Sequence, residues 1–314
     1  MTMTPSLSLN RDQLIGLALG KFRANPLGQT LSADELAQAV SVLNLAVSEM
    51  RGNGLQLWKR EMNYLFPIGS QEKYPISDTA ASEWTSTYYS RSLSASAAAG
   101  AATITVDSIT NATTGDRIGV ILDDGTRHWT TINGAPSGLI ITLTAVLPSA
   151  AASGNKAFNY TTKAYAPLRV QNDGAFRRNT SNQDVLVSAM SFSDYQNQPN
   201  KQSNGSVTQV MYDYKLGTGY LYLWPRPTDS RDVIGVSCEM PFLQFSAATD
   251  TPDFPQEFYM ALIDALAAKL YPYYKSNLQE RLTLQAEART SMTLALDYRQ
   301  EQTSVFFQPV IENE

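Results

Sequence analysis

The hydrophobic period of this chain changes twice, and that limits it to a mixed fold. Near the N-terminus the apolar residues recur at helical spacing: Leu14, Ile15, Ala18, Leu19 and Phe22 follow Asn10, a residue suited to cap a helix. Asn25-Pro26-Leu27-Gly28 then ends this first segment. Ser32-Ala33-Asp34-Glu35 reads as a capping box, and Leu36, Val40, Leu43, Val47 and Met50 continue from it as one stripe, stopped by Gly52-Asn53-Gly54. From Leu55 the period becomes two. Leu55, Leu57, Tyr64, Phe66 and Ile68 read as extended segments, Gly69 to Ser77 as a turn and strand, and Trp84 to Arg91 as a further strand.

Helical spacing returns at Pro255, which fits a first helical position because a missing N–H costs nothing there. Phe258, Leu262, Ala265, Leu266 and Leu270 share a face, and Pro272 is expected to break or kink that helix. A second helix is expected from about Asn277 to Gln300, with Leu278, Leu282, Ala288, Met292 and Ala295 on its face. Beyond Gln300 the pattern is lost, and residues 301–314 read as an extended tail.

A composition shift marks the middle of the chain. Ser92 to Ala102 is nearly all Ser, Ala and Gly, and a second such stretch runs from Pro148 to Gly154. Between them lie four short β-patterns: Thr103 to Val106, Asp116 to Leu122, Arg127 to Ile132 and Leu139 to Leu143. Asp124-Gly125 signals a tight hairpin and Asn133-Gly134 a turn. Phe158 and Tyr160 return the chain to the main body. The size suits a small inserted barrel or sandwich. From Ala164 to Phe245 the chain is strand-rich: Val207 to Tyr214 and Tyr220 to Trp224 pair around Gly217-Thr218-Gly219, Pro225 and Pro227 end that pairing, and Val233 to Phe242 forms another strand. Residues 197–205 read as a polar loop. No internal repeat is visible.

The fold class expected is α+β: helical N- and C-terminal segments forming a helical core, a β-rich middle and an inserted small β-barrel or sandwich. The expected division is a core of residues 1–91 and 163–300, built of helices and strands, an inserted β-domain at 92–162, and an extended tail at 301–314.

Few residues offer chemistry. The chain has one histidine, His128, in the alternating run Arg127 to Ile132, and one cysteine, Cys238, inside a strand-like run, so no intrachain disulfide can form. A zinc site needs several His or Cys ligands, and a Ser-His-Asp triad would have to use His128 with no nucleophile elbow to support it. No phosphate loop or dinucleotide fingerprint is present. Asp123-Asp124 and Asp250 with Asp253 are the visible acid clusters; a hairpin tip explains the first and a helix start the second. Arg177-Arg178 and Lys59-Arg60 are the adjacent basic pairs and read as solvated charges, with contact to phosphates or a partner's acids as the other reading. No catalytic, cofactor-binding or metal-binding residue is assigned, no cofactor is expected, and the chain is read as non-enzymatic.

Charged residues make up 17% of the chain, below the roughly 25% usual for globular domains. With 16 Tyr and 11 Phe this suits a surface covered by partner subunits, and it equally suits a β-rich chain. The net charge of −5 argues against a dedicated nucleic-acid grip. Met1 to Asn10 lacks the form of a secretory signal, and nothing approaches the ~18 apolar residues of a membrane span, so a soluble protein without a membrane anchor is expected.

Two segments carry a family resemblance. Leu221-Tyr222-Leu223-Trp224-Pro225-Arg226-Pro227 is followed by a strand and then by Phe254-Pro255-Gln256-Glu257-Phe258, Ala261-Leu262 and Ala265-Leu266-Ala267. At the other end, Leu36 to Trp58 leads into strands around Tyr64 to Ile76. Together they resemble the head-to-tail adaptors (tail accessory or packaged-DNA-stabilising proteins) of short-tailed bacteriophages. The 92–162 region departs from the smaller members of that group. The resemblance implies a structural virion protein of the neck, between capsid portal and tail, assembled in the host cytoplasm. It implies a homo-oligomeric ring, a dodecamer, docked beneath the phage portal protein, helping to retain packaged DNA and giving the tail nozzle, needle or fibre proteins their attachment site. Double-stranded DNA would pass through its channel without sequence specificity. Portal binding is expected of the tail residues Val305, Phe306, Phe307, Val310 and Ile311. Two other readings compete: a receptor- or carbohydrate-binding tail protein, for which Trp129 is the candidate, and a virion-associated cell-wall hydrolase.

Overall fold

A computed structural model describes residues 8–22, 31–52, 59–215 and 217–297 of the chain. It is a mixed α and β protein of two compact units, one made of Met1–Trp58 with Phe242–Glu314, the other of Lys59–Pro241. Among the described residues the helices are α1 (Arg11–Gly20), α2 (Ala33–Gly52), α3 (Phe192–Gln196), α4 (Tyr259–Tyr274) and α5 (Leu278–Asp297).

The first unit is built around α4, against which α1, α2 and α5 all pack. Its start and stop signals work as the sequence suggests. The Asn10 side chain accepts from the Gln13 amide at 2.9 Å while Gln13 reaches back to the Asn10 amide, also at 2.9 Å. Ser32 and Glu35 make the same reciprocal pair at the head of α2. The buried side of α2 is Ala39, Val42, Leu43, Ala46, Val47 and Met50, wider than the expected stripe, with Leu36 and Val40 only partly covered. Asn25 to Gly28 and Asn53-Gly54, expected to end these helices, lie outside the described residues, as do Leu55 and Leu57.

Three details at the C-terminal end differ from expectation. Pro255 precedes a single 3₁₀ turn, Gln256–Phe258, rather than opening the helix. Pro272 does not end α4, which runs on to Tyr274 before Lys275 turns extended. The expected face of α5 splits: Leu284 and Ala295 are buried and Met292 and Leu296 pack beside them, while Leu278 and Leu282 are 66% and 49% exposed. The step from Leu282 to Ala288 turns a helix by about two-thirds of a circle, so those residues cannot share a side.

The strands of the second unit are β1 (Arg60–Leu65), β2 (Lys73–Ile76), β3 (Trp84–Thr85), β4 (Tyr89–Ser92), β5 (Thr103–Thr105), β6 (Arg117–Ile121), β7 (Arg127–Thr131), β8 (Ile140–Thr142), β9 (Lys156–Tyr160), β10 (Arg169–Arg178), β11 (Asp184–Ala189), β12 (Asn204–Gly205), β13 (Gln209–Asp213), β14 (Gly219–Trp224), β15 (Arg226–Pro227) and β16 (Val233–Glu239). The large sheet runs β2-β14-β13-β11-β10-β16-β1-β3. Every residue of β16 is buried, as its near-continuous apolar run requires. The β13–β14 hairpin forms as expected, and β2 tolerates Pro75 because it pairs on one side only, with β14. The run from Trp84 to Arg91 is not one strand: β3 pairs with β1, whereas β4 joins a smaller sheet, β4-β9-β6-β7.

That smaller sheet and the β5–β8 pair account for all four β-patterns of the Ser/Ala/Gly-flanked region. Phe158 and Tyr160 do not return the chain to the main sheet; they lie in β9, between β4 and β6. A buried polar cluster sits within this region. Arg91 donates to the Asn159 side chain and to the Ser108 carbonyl, and Asn159 donates to Asp116 at 3.0 Å. Asp116 also accepts from the Thr113 amide and hydroxyl at 3.0 and 2.9 Å. The carboxylate of Asp116, the Asn159 amide and both terminal nitrogens of Arg91 are thereby matched, while Arg91 Nε is left without a partner among the described residues.

Candidate interaction site

The acidic residues with catalytic potential carry structural duties, and Cys238 is buried. His128 is half-buried on β7, opposite Val120. Cys238 is fully buried on β16, and burial pushes its thiol up, away from reactivity. Asp124 accepts from the Thr126 hydroxyl and amide, which hold its carboxyl below the usual range, and Asp123 fastens the amide of Ala152 and the side chain of Asn155. Asp250 accepts from the amides of Ser246 and Ala247, which lower it likewise, and Asp253 accepts from the Leu243 amide. These are the turn roles that short acidic side chains fill. Among the described residues, no group of three or more His, Cys, Asp or Glu side chains could hold a metal ion, and no helix is long and apolar enough to cross a membrane.

The basic pair Arg177-Arg178 is half-buried and engaged within the chain. Arg177 meets Asp232 at 3.0 Å. Arg178 holds both carboxylate oxygens of Asp184, at 2.7 and 2.8 Å, and donates to the Tyr88 hydroxyl at 3.0 Å. Trp129 packs edge-on to Phe66 and Tyr160, and a side chain at Gly119 would come within 2.8 Å of its indole. Trp129 is thus taken up in part by aromatic packing within the chain.

Phe66, Ile121, Phe158, Tyr160 and Val233 form one buried cluster with Tyr64, Tyr88 and Trp129 around it. It joins the smaller sheet to the larger within the second unit. Beside it Glu83, 8% exposed, receives Arg117 from β6, the hydroxyl of Tyr160 from β9, and Lys163 at 3.7 Å. Burial and the adjacent Glu83 carboxylate raise the Tyr160 phenol above its usual range. Nothing in the sequence pattern announced Glu83; its partners are brought to it only by the sheets.

What remains for partners is apolar surface. On the first unit Leu278 and Leu282, one turn apart on α5, are exposed, as are Leu294, Leu45, Leu17, Met260 and Tyr273. On the second, Val185 and Leu186 are exposed, Leu186 by 75%, on the part of β11 that pairs only with β10. Leu139 is 42% exposed at the tip of a two-residue hairpin, held at φ +69° between the mutually bonded Ser137 and Ile140. Single exposed apolar residues are ordinary; Leu278 and Leu282 are neighbours on one helix face and Val185 and Leu186 adjoin on one strand. The expected portal-binding residues Val305, Phe306, Phe307, Val310 and Ile311 lie outside the described residues.

The SU10 adaptor protein family matches residues 13–311, nearly the whole chain. The chain belongs to the SU10 adaptor protein family. This bears out the resemblance to phage head-to-tail adaptors and makes the chain a phage structural adaptor. The match runs through residues 92–162 as well, so that β-rich region lies inside the stretch the family covers. No curated protein matches the chain. For an adaptor, exposed apolar residues on otherwise well-packed units are the expected currency of assembly, and charged residues held in intrachain pairs are consistent with the low charge content.

Proposed function

We propose that this adaptor assembles as a ring, a dodecamer, beneath the phage portal protein in the virion neck, after assembly in the host cytoplasm. The ring helps retain packaged DNA, lets the duplex pass without sequence-specific grip, and gives the tail nozzle, needle or fibre proteins their attachment site. It has no catalytic role and takes no cofactor. The observation that carries this reading is the family match over residues 13–311. The exposed leucines of α5 support it, because a ring needs heterologous contacts between neighbouring copies. In this reading residues 1–91 and 163–300, helices and strands together, form the adaptor core and residues 92–162 are an added β-module on the outside of the ring.

Portal docking falls to Val305, Phe306, Phe307, Val310 and Ile311. Burying five such side chains yields on the order of 8–15 kcal/mol gross, and ordering the segment costs about 1–2 kcal/mol per residue, so one tail binds weakly and a ring of tails binds firmly. Negative-stain microscopy of the protein with and without portal tests the ring: rings that stack on portal support it, and compact monomers or trimers in both samples overturn it. Truncation after Gln300 tests the docking. The shortened chain should stay folded and soluble yet fail to attach stably to portals; if it still completes DNA-retaining heads, the tail is not the docking element.

A further inference from the structure

Within the first unit, α2 and α5 both lie against α4 without closing over it. Between them is a groove of about 540 Å³. Ala265 and Ala268 of α4 line it together with Ala46 and Met50 of α2 and Ala288 and Met292 of α5. Its size falls within the ~300–1,000 Å³ of pockets that hold drug-sized ligands. Alanines leave the space open, and the two methionines offer walls that adapt to an irregular occupant. The rim is charged: Glu49 is paired with Lys269, while Arg289 has no ion-pair partner among the described residues.

We infer that, before assembly, this groove holds the C-terminal segment of the same chain. The residues on α5 that line the groove run from Gln285 to Thr293, about 12 Å of helix. The described part of the helix runs one turn further, to Asp297. Residues 298–304 are more than enough to reverse direction, since helix connections of two to eight residues suffice. Four extended residues then cover about 13 Å, so Val305-Phe306-Phe307-Gln308 matches the length of the groove. Glu301 follows closely enough after Asp297 to reach Arg289. The occupant is thus tethered at the groove's own end, carries the apolar side chains the groove lacks, and brings a carboxylate to its unpaired cation.

Such a contact parks the apolar segment until a partner competes for it. The parking is independent of which protein the segment engages afterwards, so it stands or falls separately from portal docking.

Methyl NMR of the full-length chain tests it, with the Met50 and Met292 signals assigned through Met→Leu variants and compared between the native chain and a Phe306→Ser/Phe307→Ser double variant. Removing two aromatic rings from the groove should shift both methyl signals and leave methionines of the other unit, such as Met211, unmoved. Ala268→Arg, which fills the groove from below, should reproduce the same loss. Unchanged Met50 and Met292 signals overturn the inference. So does a shift that disappears on dilution, because that assigns the groove to the segment of a second copy.

Discussion

The ring of Phe176 lies directly over Gly235 on the neighbouring strand, where any β-carbon would collide with it. The two residues belong to one row across the large sheet: Thr85, Tyr64, Gly235, Phe176 and Leu186 are successive partners on β3, β1, β16, β10 and β11. A glycine in a central strand normally weakens it, and here the aromatic ring fills the vacant position.

Gly235→Ala should therefore destabilise the protein by about 1–3 kcal/mol, the usual cost of forcing atoms into a packed site. Urea denaturation measures it. A change below about 0.5 kcal/mol would mean that the ring can move aside freely.

Glu83 makes a second test. Glu83→Gln leaves Arg117 and Lys163 without their carboxylate in a largely buried place. The side chain of Arg117 is a third exposed, so the loss should be about 2–3 kcal/mol, less than the ~3–5 of a fully buried pair. Adding Arg117→Met should restore part of that stability, and a double-mutant cycle reads the coupling. Strict additivity would show that the two residues do not act together. The same geometry bears on excision of residues 92–162, which would separate β4 from its partner β9 and uncover Phe66 and Val233.

Leu139 holds a left-handed conformation that disfavours a leucine side chain, at a hairpin position suited to asparagine or glycine. Leu139→Asn should stabilise the fold by about 0.5–1 kcal/mol, seen as a raised thermal midpoint. A lowered midpoint would mean that the side chain contributes packing in spite of its exposure.

The Arg178–Asp184 pair sets an acid limit. Arg178 holds Asp184 below its ordinary value of 3.8. A carboxylate lowered in the folded state contributes stability that is present above the unfolded value and is lost as the pH falls through the folded one. Denaturation midpoints should decline below about pH 4, and Asp184→Asn should flatten that decline. An unchanged slope in the variant would remove this pair from the acid response.

Leu278→Lys with Leu282→Lys should weaken self-association while moving stability by less than about 0.5 kcal/mol, because both side chains are already exposed. Sedimentation velocity reads the first and thermal melting the second. Unaltered assembly would place the ring contact elsewhere.

Helix starts and hairpin tips were legible because their causes are local. Asn10 with Gln13, Ser32 with Glu35, and the positive φ of Gly125 and Gly134 depend on residues a few positions apart. The burial of β16 was equally visible in its run of apolar residues. The family could be recognised for the same reason, from short ordered patterns at both ends of the chain. Tertiary structure alone decided the rest. Which side of α5 is buried depended on where α4 lies, whereas grouping Leu278 and Leu282 with Ala288 already fails on helical geometry. The split of Trp84 to Arg91 between two sheets, the assignment of Phe158 and Tyr160 to β9, and the meeting of Glu83 with Arg117 and Tyr160 all rest on pairings between distant residues. A sequence specifies local backbone preference residue by residue, whereas a buried charge or an aromatic row exists only once strands far apart in the chain are set side by side.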